Sequence, residues 1–123
     1  MHDKNDSNLI LLTYKEKALL MYKYESSIDE TEHEWTFPKT IKKSSESIKE
    51  GLMKVVFKEA GIKIGNIRYI GRNFYHAQLS DNDVNSIKRK ELQLINFFTL
   101  NEVKKLNLSP LTKNFVNQHG NLI

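Results

Sequence analysis

Glu59 is an acidic residue at a position where the neighbouring sequence predicts an apolar surface. Ile48, Leu52, Val55 and Val56 recur at three- and four-residue spacing, which predicts a helix with one buried stripe. At 100° per residue Glu59 projects into the middle of that stripe. It also lies at the helix C-terminus, where the macrodipole disfavours negative charge by about 0.3–1 kcal/mol. Either the stripe reaches the domain edge here and the carboxylate turns to water, or Glu59 is a functional carboxylate.

Lysine side chains around this helix offer a second kind of chemistry, the binding of an anion by charge. Five of the lysines on the helix or on the segment before it are candidates: Lys39, Lys42, Lys43, Lys54 and Lys58. A plainer interpretation is that the whole chain is rich in lysine and that these residues form a solvated face. The sequence leaves both interpretations open.

Strands are predicted before the helix. Residues 9–14 and 18–24 are short apolar runs separated by three polar residues, which predicts an antiparallel pair with a tight connection. Residues 35–37 predict a short strand that Pro38 ends, because proline fixes its own φ and cannot donate to a ladder. We expect a loop to follow Pro38.

The central helix has recognisable end signals. We expect Ser44 or Ser45 to cap it, with the helix beginning near Glu46. Gly61 supplies the left-handed residue that stops it.

Further elements follow the helix in the order strand, strand, strand, helix. The predictions are strands over 66–71 and 73–79, a polar loop over 80–90, a strand over 91–98, a short turn capped by Thr99, and a final helix from Ser109 and Pro110 to about Gln118. This order indicates an α/β or α+β sandwich, in which helices cover a mixed sheet.

Composition bounds the class of protein. The chain has 123 residues, 39% hydrophobic and 28% charged, which is typical of one globular domain over residues 1–123. No apolar run approaches the roughly 18 residues of a membrane span and no signal-peptide pattern opens the chain, so we expect a cytoplasmic protein that does not enter a membrane. The absence of cysteine excludes disulfides, thiolate zinc sites and cysteine nucleophiles.

Net charge says less about partners. The formal charge is +4 with a pI near 9.2, which favours anionic partners. The basic residues form no aromatic-interleaved stripe, so support for a nucleic-acid partner is weak. The sequence does not define an oligomeric state.

Residues 35–62, WTFPKTIKKSSESIKEGLMKVVFKEAGI, resemble a degraded Nudix box. That box reads Gly, five residues, Glu, seven residues, Arg-Glu, an apolar residue, any residue, Glu-Glu, any residue, Gly and an apolar residue. The same spacing is occupied here by Thr40, Glu46, Lys54, Val55, Val56, Lys58, Glu59, Gly61 and Ile62. The flanks are similar to dinucleoside polyphosphate hydrolases of the family, and residues 95–112 resemble its late strand and following short helix. The resemblance implies a Nudix-like α/β/α sandwich with a mixed sheet.

For activity, the resemblance implies hydrolysis of nucleoside diphosphates linked to another group, with box glutamates holding Mg²⁺ or Mn²⁺. Carried over by position, the three helix glutamates fall on Val55, Lys58 and Glu59, and only the last is acidic. The local charge is about 0 instead of about −3. An ammonium about 5 Å from a divalent cation repels it by about 6–7 kcal/mol at an effective dielectric of about 20. We therefore expect no cofactor, although an active enzyme would need Mg²⁺ or Mn²⁺.

Acidic residues elsewhere could in principle complete such a site. Glu46 matches the first box glutamate, but capping at a helix start explains it equally well. Glu91 is the nearest candidate by position for a catalytic base, with Asp81 and Asp83 in the adjoining loop. His33 and His76 show no two-histidine ligand spacing, and we expect structural roles for them.

Three functional hypotheses follow. The first is a Nudix-fold protein with little or no pyrophosphohydrolase activity that binds a nucleotide or another phosphorylated ligand through Lys39, Lys54 and Lys58. The second is an active metal-dependent hydrolase of (di)nucleoside polyphosphates, with Glu46 and Glu59 as metal ligands and Glu59 and Glu91 in catalysis. The third is a non-catalytic interaction module that uses a sheet edge or residues 73–79.

Overall fold

A computed structural model describes residues 7–23, 34–41, 47–89 and 93–123. The chain order is β1 (Ser7–Tyr14), β2 (Lys17–Lys23), β3 (Lys39–Ile41), α1 (Ile48–Ala60), β4 (Arg68–Gly71), β5 (Phe74–Gln78), α2 (Asp81–Asn85), β6 (Gln93–Phe98), α3 (Leu100–Val103) and α4 (Pro110–His119), followed by a short 3₁₀ helix, Gly120–Leu122. Among the helices in these ranges, none is both long enough and apolar enough to cross a membrane.

The strands form one six-stranded mixed sheet. Five of them lie in the order β4-β5-β1-β2-β6, and β3 pairs with β1 outside this order. β1 is parallel to β5, with Leu11 opposite His76, and antiparallel to β2 at its end. β3 pairs antiparallel with the beginning of β1, where Lys39 lies opposite Leu9. The predicted antiparallel pair at the start of the chain is confirmed, and its connection is a two-residue turn in which Lys15 and Glu16 both have positive φ.

Two apolar clusters lie on opposite faces of this sheet. On one face, α1 buries Leu52 and Val56 against alternate residues of β1, including Ile10 and Leu12. On the other face, Phe115 of α4 packs in the cluster formed by the remaining alternate residues and by residues around α3. Because successive strand residues point to opposite faces, one strand sequence supplies both cores. The predicted α/β sandwich with a mixed sheet is confirmed.

α1 begins at Ile48, two residues later than predicted. Ser47 accepts a hydrogen bond from the backbone N–H of Glu50, and the Glu50 carboxylate accepts one from the Ser47 backbone. This capping box satisfies two amide donors at the helix start, so the cap is Ser47 and not Ser44 or Ser45. Those two residues lie outside the described ranges. At the other end, Gly61 has φ of 78° and stops the helix as predicted.

The strand predicted over 35–37 is wrong in position. The three-residue ladder follows Pro38, at Lys39–Ile41, whereas Trp35 and Thr36 make only isolated bridges, to Leu108 and Met21. Pro38 cannot donate a hydrogen bond, but its carbonyl accepts from the backbone of Ile10, so proline stands at the entrance of the ladder and does not end it.

The predicted polar loop over 80–90 contains a helix. Ser80 and Asp83 form a second capping box, which opens the five-residue helix α2. The helix was missed because its sequence, DNDVN, has too few apolar residues to show a helical period.

The remaining predictions after α1 are confirmed. β4 and β5 form an antiparallel hairpin, Thr99 caps α3 through a box with Glu102, and Pro110 occupies the first turn of α4. The late strand is described from Gln93 onward.

Thr112, buried on α4, holds the segment that leads into β3. Its hydroxyl oxygen accepts from the backbone N–H of Phe37 at 3.1 Å and from the hydroxyl of Ser109 at 2.9 Å. It also shares a hydrogen bond with the Thr36 hydroxyl at 3.1 Å. A buried amide without an acceptor is costly, so this hydroxyl positions residues 36–39.

We predict that Thr112→Val destabilises the protein by about 1–3 kcal/mol, because the buried Phe37 N–H loses its acceptor. Thr112→Ser keeps the hydroxyl and loses one methyl group, so it should cost about 1 kcal/mol or less. Urea unfolding of both variants measures the difference. A valine variant as stable as the serine variant would contradict this role.

Candidate functional site

The outer surface of α1 presents the positions that the sequence singled out. Lys54 and Lys58 are exposed, whereas Val55 and Glu59 are half-buried beside the stripe that packs on the sheet. α1 itself lies against β1 and β3.

Glu59 has a definite partner. Its carboxylate accepts a hydrogen bond from the side-chain amide of Gln93 at 2.7 Å, which joins the end of α1 to the start of β6. The side-chain carbonyl oxygen of Gln93 is buried and has no hydrogen-bond partner in the described part of the chain. This partnership explains how a carboxylate is kept half-buried beside an apolar stripe.

The residues described here do not fit a divalent cation. Mg²⁺ and Mn²⁺ require several oxygen ligands, whereas Val55 offers no donor atom and the Lys58 ammonium cannot ligate while it is charged. One oxygen of Glu59 is already engaged by Gln93. In the ranges that the structure describes, no three histidine or acidic side chains come together as a metal-binding group. Glu46 and Glu91 lie outside those ranges.

Lys39 lines an open groove of about 350 Å³ at the other side of β3. Hydroxyl groups and apolar side chains form most of its walls, with one carboxylate: Ser7, Glu34, Thr36, Ser109, Pro110 and Leu111. Thr36 and Ser109 belong to the network around Thr112, so two of these walls are held in place by hydrogen bonds.

The predicted lysines that the structure describes do not form one cluster, and Lys42 and Lys43 lie outside the described ranges. Lys39 lines the groove, but Lys54 and Lys58 do not contribute to its walls. Thr40, in the position of the first box glycine, lies in β3 opposite Asn8. Here the backbone is an ordinary extended strand, so a β-branched residue is tolerated.

Sheet edges bear on the hypothesis of an interaction module. Residues 74–78 form an inner strand between β4 and β1, so their backbone is already paired. At the β6 edge, the Arg89 guanidinium donates to the Ile95 carbonyl and the Asn96 side chain accepts from the Phe97 N–H. Internal groups thus occupy part of the hydrogen-bonding edge that a partner strand would need.

We expected a structural role for His76 on β5, and one of its ring nitrogens has such a role. Its Nε2 shares a hydrogen bond of 2.9 Å with the Thr13 hydroxyl, while Nδ1 is buried without a partner in the described part of the chain. Burial lowers the pKa of His76 below its ordinary value, and the neighbouring Arg68 guanidinium lowers it further. His76 also lines a polar cleft that the sequence analysis did not identify.

Comparisons with known proteins identify the architecture. No protein-family model matches the chain, and no curated protein matches it either. Solved structures, in contrast, match the chain. A MutT Nudix hydrolase from Burkholderia pseudomallei has a TM-score of 0.71 at 13% identity, with 92% of this chain and 95% of that chain covered. A mutT/nudix family protein from Listeria innocua has a TM-score of 0.72 at 10% identity, with 95% and 90% covered.

A third similar structure is a Nudix hydrolase from Nitrosomonas europaea, with a TM-score of 0.67, 14% identity, and 94% of this chain and 87% of that chain covered. Identities this low speak to the fold and not to activity. The likeness extends over most of the length of each chain. The chain has the fold of the Nudix hydrolases.

Proposed function

We propose that this protein is a Nudix-fold relative with a degenerate metal site, which binds a nucleotide or another phosphorylated small molecule and has little or no pyrophosphohydrolase activity. The observation that carries the proposal is the surface of α1. Val55 and Lys58 stand where the box resemblance places carboxylates, and Glu59 is hydrogen-bonded to Gln93. A helix with this surface cannot supply the ligand set that divalent catalysis needs.

Loss of the metal removes two contributions to diphosphate cleavage. A bound divalent ion activates water and neutralises charge that develops on the phosphate oxygens. An ammonium group such as that of Lys58 can neutralise part of this charge, but it does not activate water as a metal does. Binding of a phosphorylated ligand is therefore compatible with this surface, whereas efficient hydrolysis is not.

The groove at Lys39 suits part of such a ligand. Its volume of about 350 Å³ lies within the range of small-molecule pockets, about 300–1,000 Å³. Lys39 offers a positive charge for a phosphate, and Pro110 and Leu111 offer apolar surface for a planar group. Glu34 also lines the groove and would repel a phosphate, so we place the phosphate toward Lys39 and a neutral hydroxyl or amine toward Glu34.

We predict that the unmodified protein neither binds Mn²⁺ tightly nor releases phosphate from dinucleoside polyphosphates or nucleotide sugars. The double variant Val55→Glu, Lys58→Glu should bind Mn²⁺ at least about tenfold more tightly, because two carboxylates are added and an ammonium is removed. Calorimetry measures the affinity, and phosphate release in Mg²⁺ and in Mn²⁺ measures activity.

The control for this experiment is Lys49→Glu, Met53→Glu, which changes the net charge equally on exposed positions of the same helix. Thermal unfolding establishes that each variant is folded. If the control gains as much Mn²⁺ affinity as the test variant, the gain comes from the added negative charge in general and not from carboxylates at positions 55 and 58. Brisk turnover by the unmodified chain, abolished by Glu59→Gln, would refute the proposal and favour an active hydrolase.

We also predict that nucleotides raise the melting temperature of the protein in the presence of EDTA, because binding by lysine charge needs no metal. A ligand at about one hundred times its Kd stabilises the folded state by about 2.7 kcal/mol. Lys39→Met should remove most of this stabilisation.

Lys17→Met is the matched control, since Lys17 is exposed at the opposite end of β1 from Lys39. It should retain the full nucleotide effect. The absence of a melting shift with any nucleotide, nucleotide sugar or dinucleoside polyphosphate would contradict the binding role.

A further inference from the structure

One corner of the sheet is left uncovered by the helices. On β5, Phe74, His76 and Gln78 point to the same face, because alternate strand residues do so. Phe74 is covered by α4, where it stacks on Phe115 with ring centroids 4.4 Å apart. Past that contact the same face changes from apolar to polar, and an open cleft of about 470 Å³ lies over it.

The side chains that line this cleft are rich in hydrogen-bond donors. Arg68 lies directly across from His76 on the edge strand β4, and Asn66, Gln78 and Ser80 complete the polar lining. The backbone of Arg68 is paired in the β4–β5 ladder, but within the described part of the chain its guanidinium makes no hydrogen bond or ion pair. The Ser80 oxygen accepts from the backbone of Asp83, which leaves its own hydroxyl hydrogen available to donate.

We propose that this cleft is a second ligand site, which binds the oxyanion of a small molecule, a phosphate or a carboxylate, with Arg68 as its anchoring charge. The Arg68 guanidinium presents a planar fork of donors that matches either oxyanion. The Ser80 hydroxyl and the amides of Asn66 and Gln78 supply neutral donors around the same space.

The nearest described carboxylates do not belong to the lining of the cleft. Asp81 accepts a hydrogen bond from the Tyr14 hydroxyl at 2.6 Å and lies 3.9 Å from the Lys15 ammonium. Asp83 accepts from the Ser80 backbone at 2.9 Å. Their charges are thus partly balanced by groups of α2 and of the β1–β2 turn, and the donors around Arg68 remain available for an external anion.

This cleft is separate from the groove at Lys39. Lys39 lies opposite Leu9 on β1, whereas Gln78 lies opposite Thr13, four residues further along the same strand. At about 3.3 Å per residue the two positions are about 13 Å apart along β1. The second site therefore does not depend on the function proposed for the first.

His76 provides a local reporter of the bound charge. Its pKa is lowered by burial and by Arg68. An anion held by Arg68 would offset that repulsion and favour the imidazolium, so the pKa of His76 should rise on binding. By linkage the same anion should bind more tightly as the pH falls through the titration of His76. Arg68 on β4 is the charged group that acts on the pKa of His76. The charged residues of the adjoining elements are Asp81 and Asp83 on α2 and Lys15 in the β1–β2 turn.

The experiment is an NMR titration of the histidine ring protons with inorganic phosphate and, in a parallel series, with acetate. Phosphate, acetate or both should raise the pKa of His76. At constant pH they should leave the ring-proton signals of His119, which packs against Phe74 and Phe115, unchanged. Whichever series acts at lower concentration identifies the class of oxyanion.

Arg68→Met should weaken this binding at least about tenfold, since it removes a charge-assisted contact. Arg72→Met makes the same charge change at the β4–β5 turn, outside the lining of the cleft, and should bind as the unmodified protein does. Lys39→Met should also leave the His76 shift intact.

Two results would overturn the proposal: a pKa of His76 that neither anion moves, or equal binding by the Arg68→Met and Arg72→Met variants. Loss of binding in Lys39→Met alone would assign the anion to the first groove instead. If Arg68→Met is not folded by thermal unfolding, Arg68→Lys replaces it, and the loss of the fork should then weaken binding of the oxyanion.

Discussion

The packing of α1 on the sheet is the constraint on which the candidate site depends. Leu52 and Val56 are fully buried, and the angular position of the helix follows from that burial. Once those two residues face the sheet, the helical period places Val55, Lys58 and Glu59 toward one side of the helix. The helix cannot rotate to present other side chains without exposing its apolar stripe. Local charge at these positions therefore decides which ligands the surface can hold.

The proposal assigns Glu59 a role in packing in place of metal binding. A half-buried carboxylate needs a hydrogen-bond donor, and the side-chain amide of Gln93, at the start of β6, provides one. The interaction also links the end of α1 to an edge strand. In our account, Glu59 contributes to the docking of the helix, and the anion-binding role passes to lysine and arginine side chains.

Sequence patterns predicted the elements whose signals are local. The strand pair over β1 and β2, the stop at Gly61, and the starts at Thr99 and Pro110 each depend on residues adjacent in the chain, and all of them are confirmed. The errors arose where local signals competed, as at the start of α1, or were too weak, as in α2. Several serines preceded α1, and only the capping box with Glu50 distinguishes Ser47.

Features that join distant segments could not be read from the sequence. Glu59 and Gln93 are 34 residues apart, and no periodicity relates them. The parallel pairing of β1 with β5, which brings Thr13 to His76, depends on the packing of the whole sheet. The alternation of Phe74, His76 and Gln78 indicates that one face of β5 changes from apolar to polar along the strand. The position of Arg68 opposite His76 depends on the pairing of β4 with β5, which no local pattern predicts.

The most direct measurement of the central claim is paramagnetic broadening by Mn²⁺ in a ¹⁵N-labelled sample. If α1 lacks a metal site, the amide signals of residues 55–59 will broaden no more than those of Glu16, an acidic residue exposed in the β1–β2 turn. Selective loss of the signals around Glu59 at substoichiometric Mn²⁺ would contradict the account.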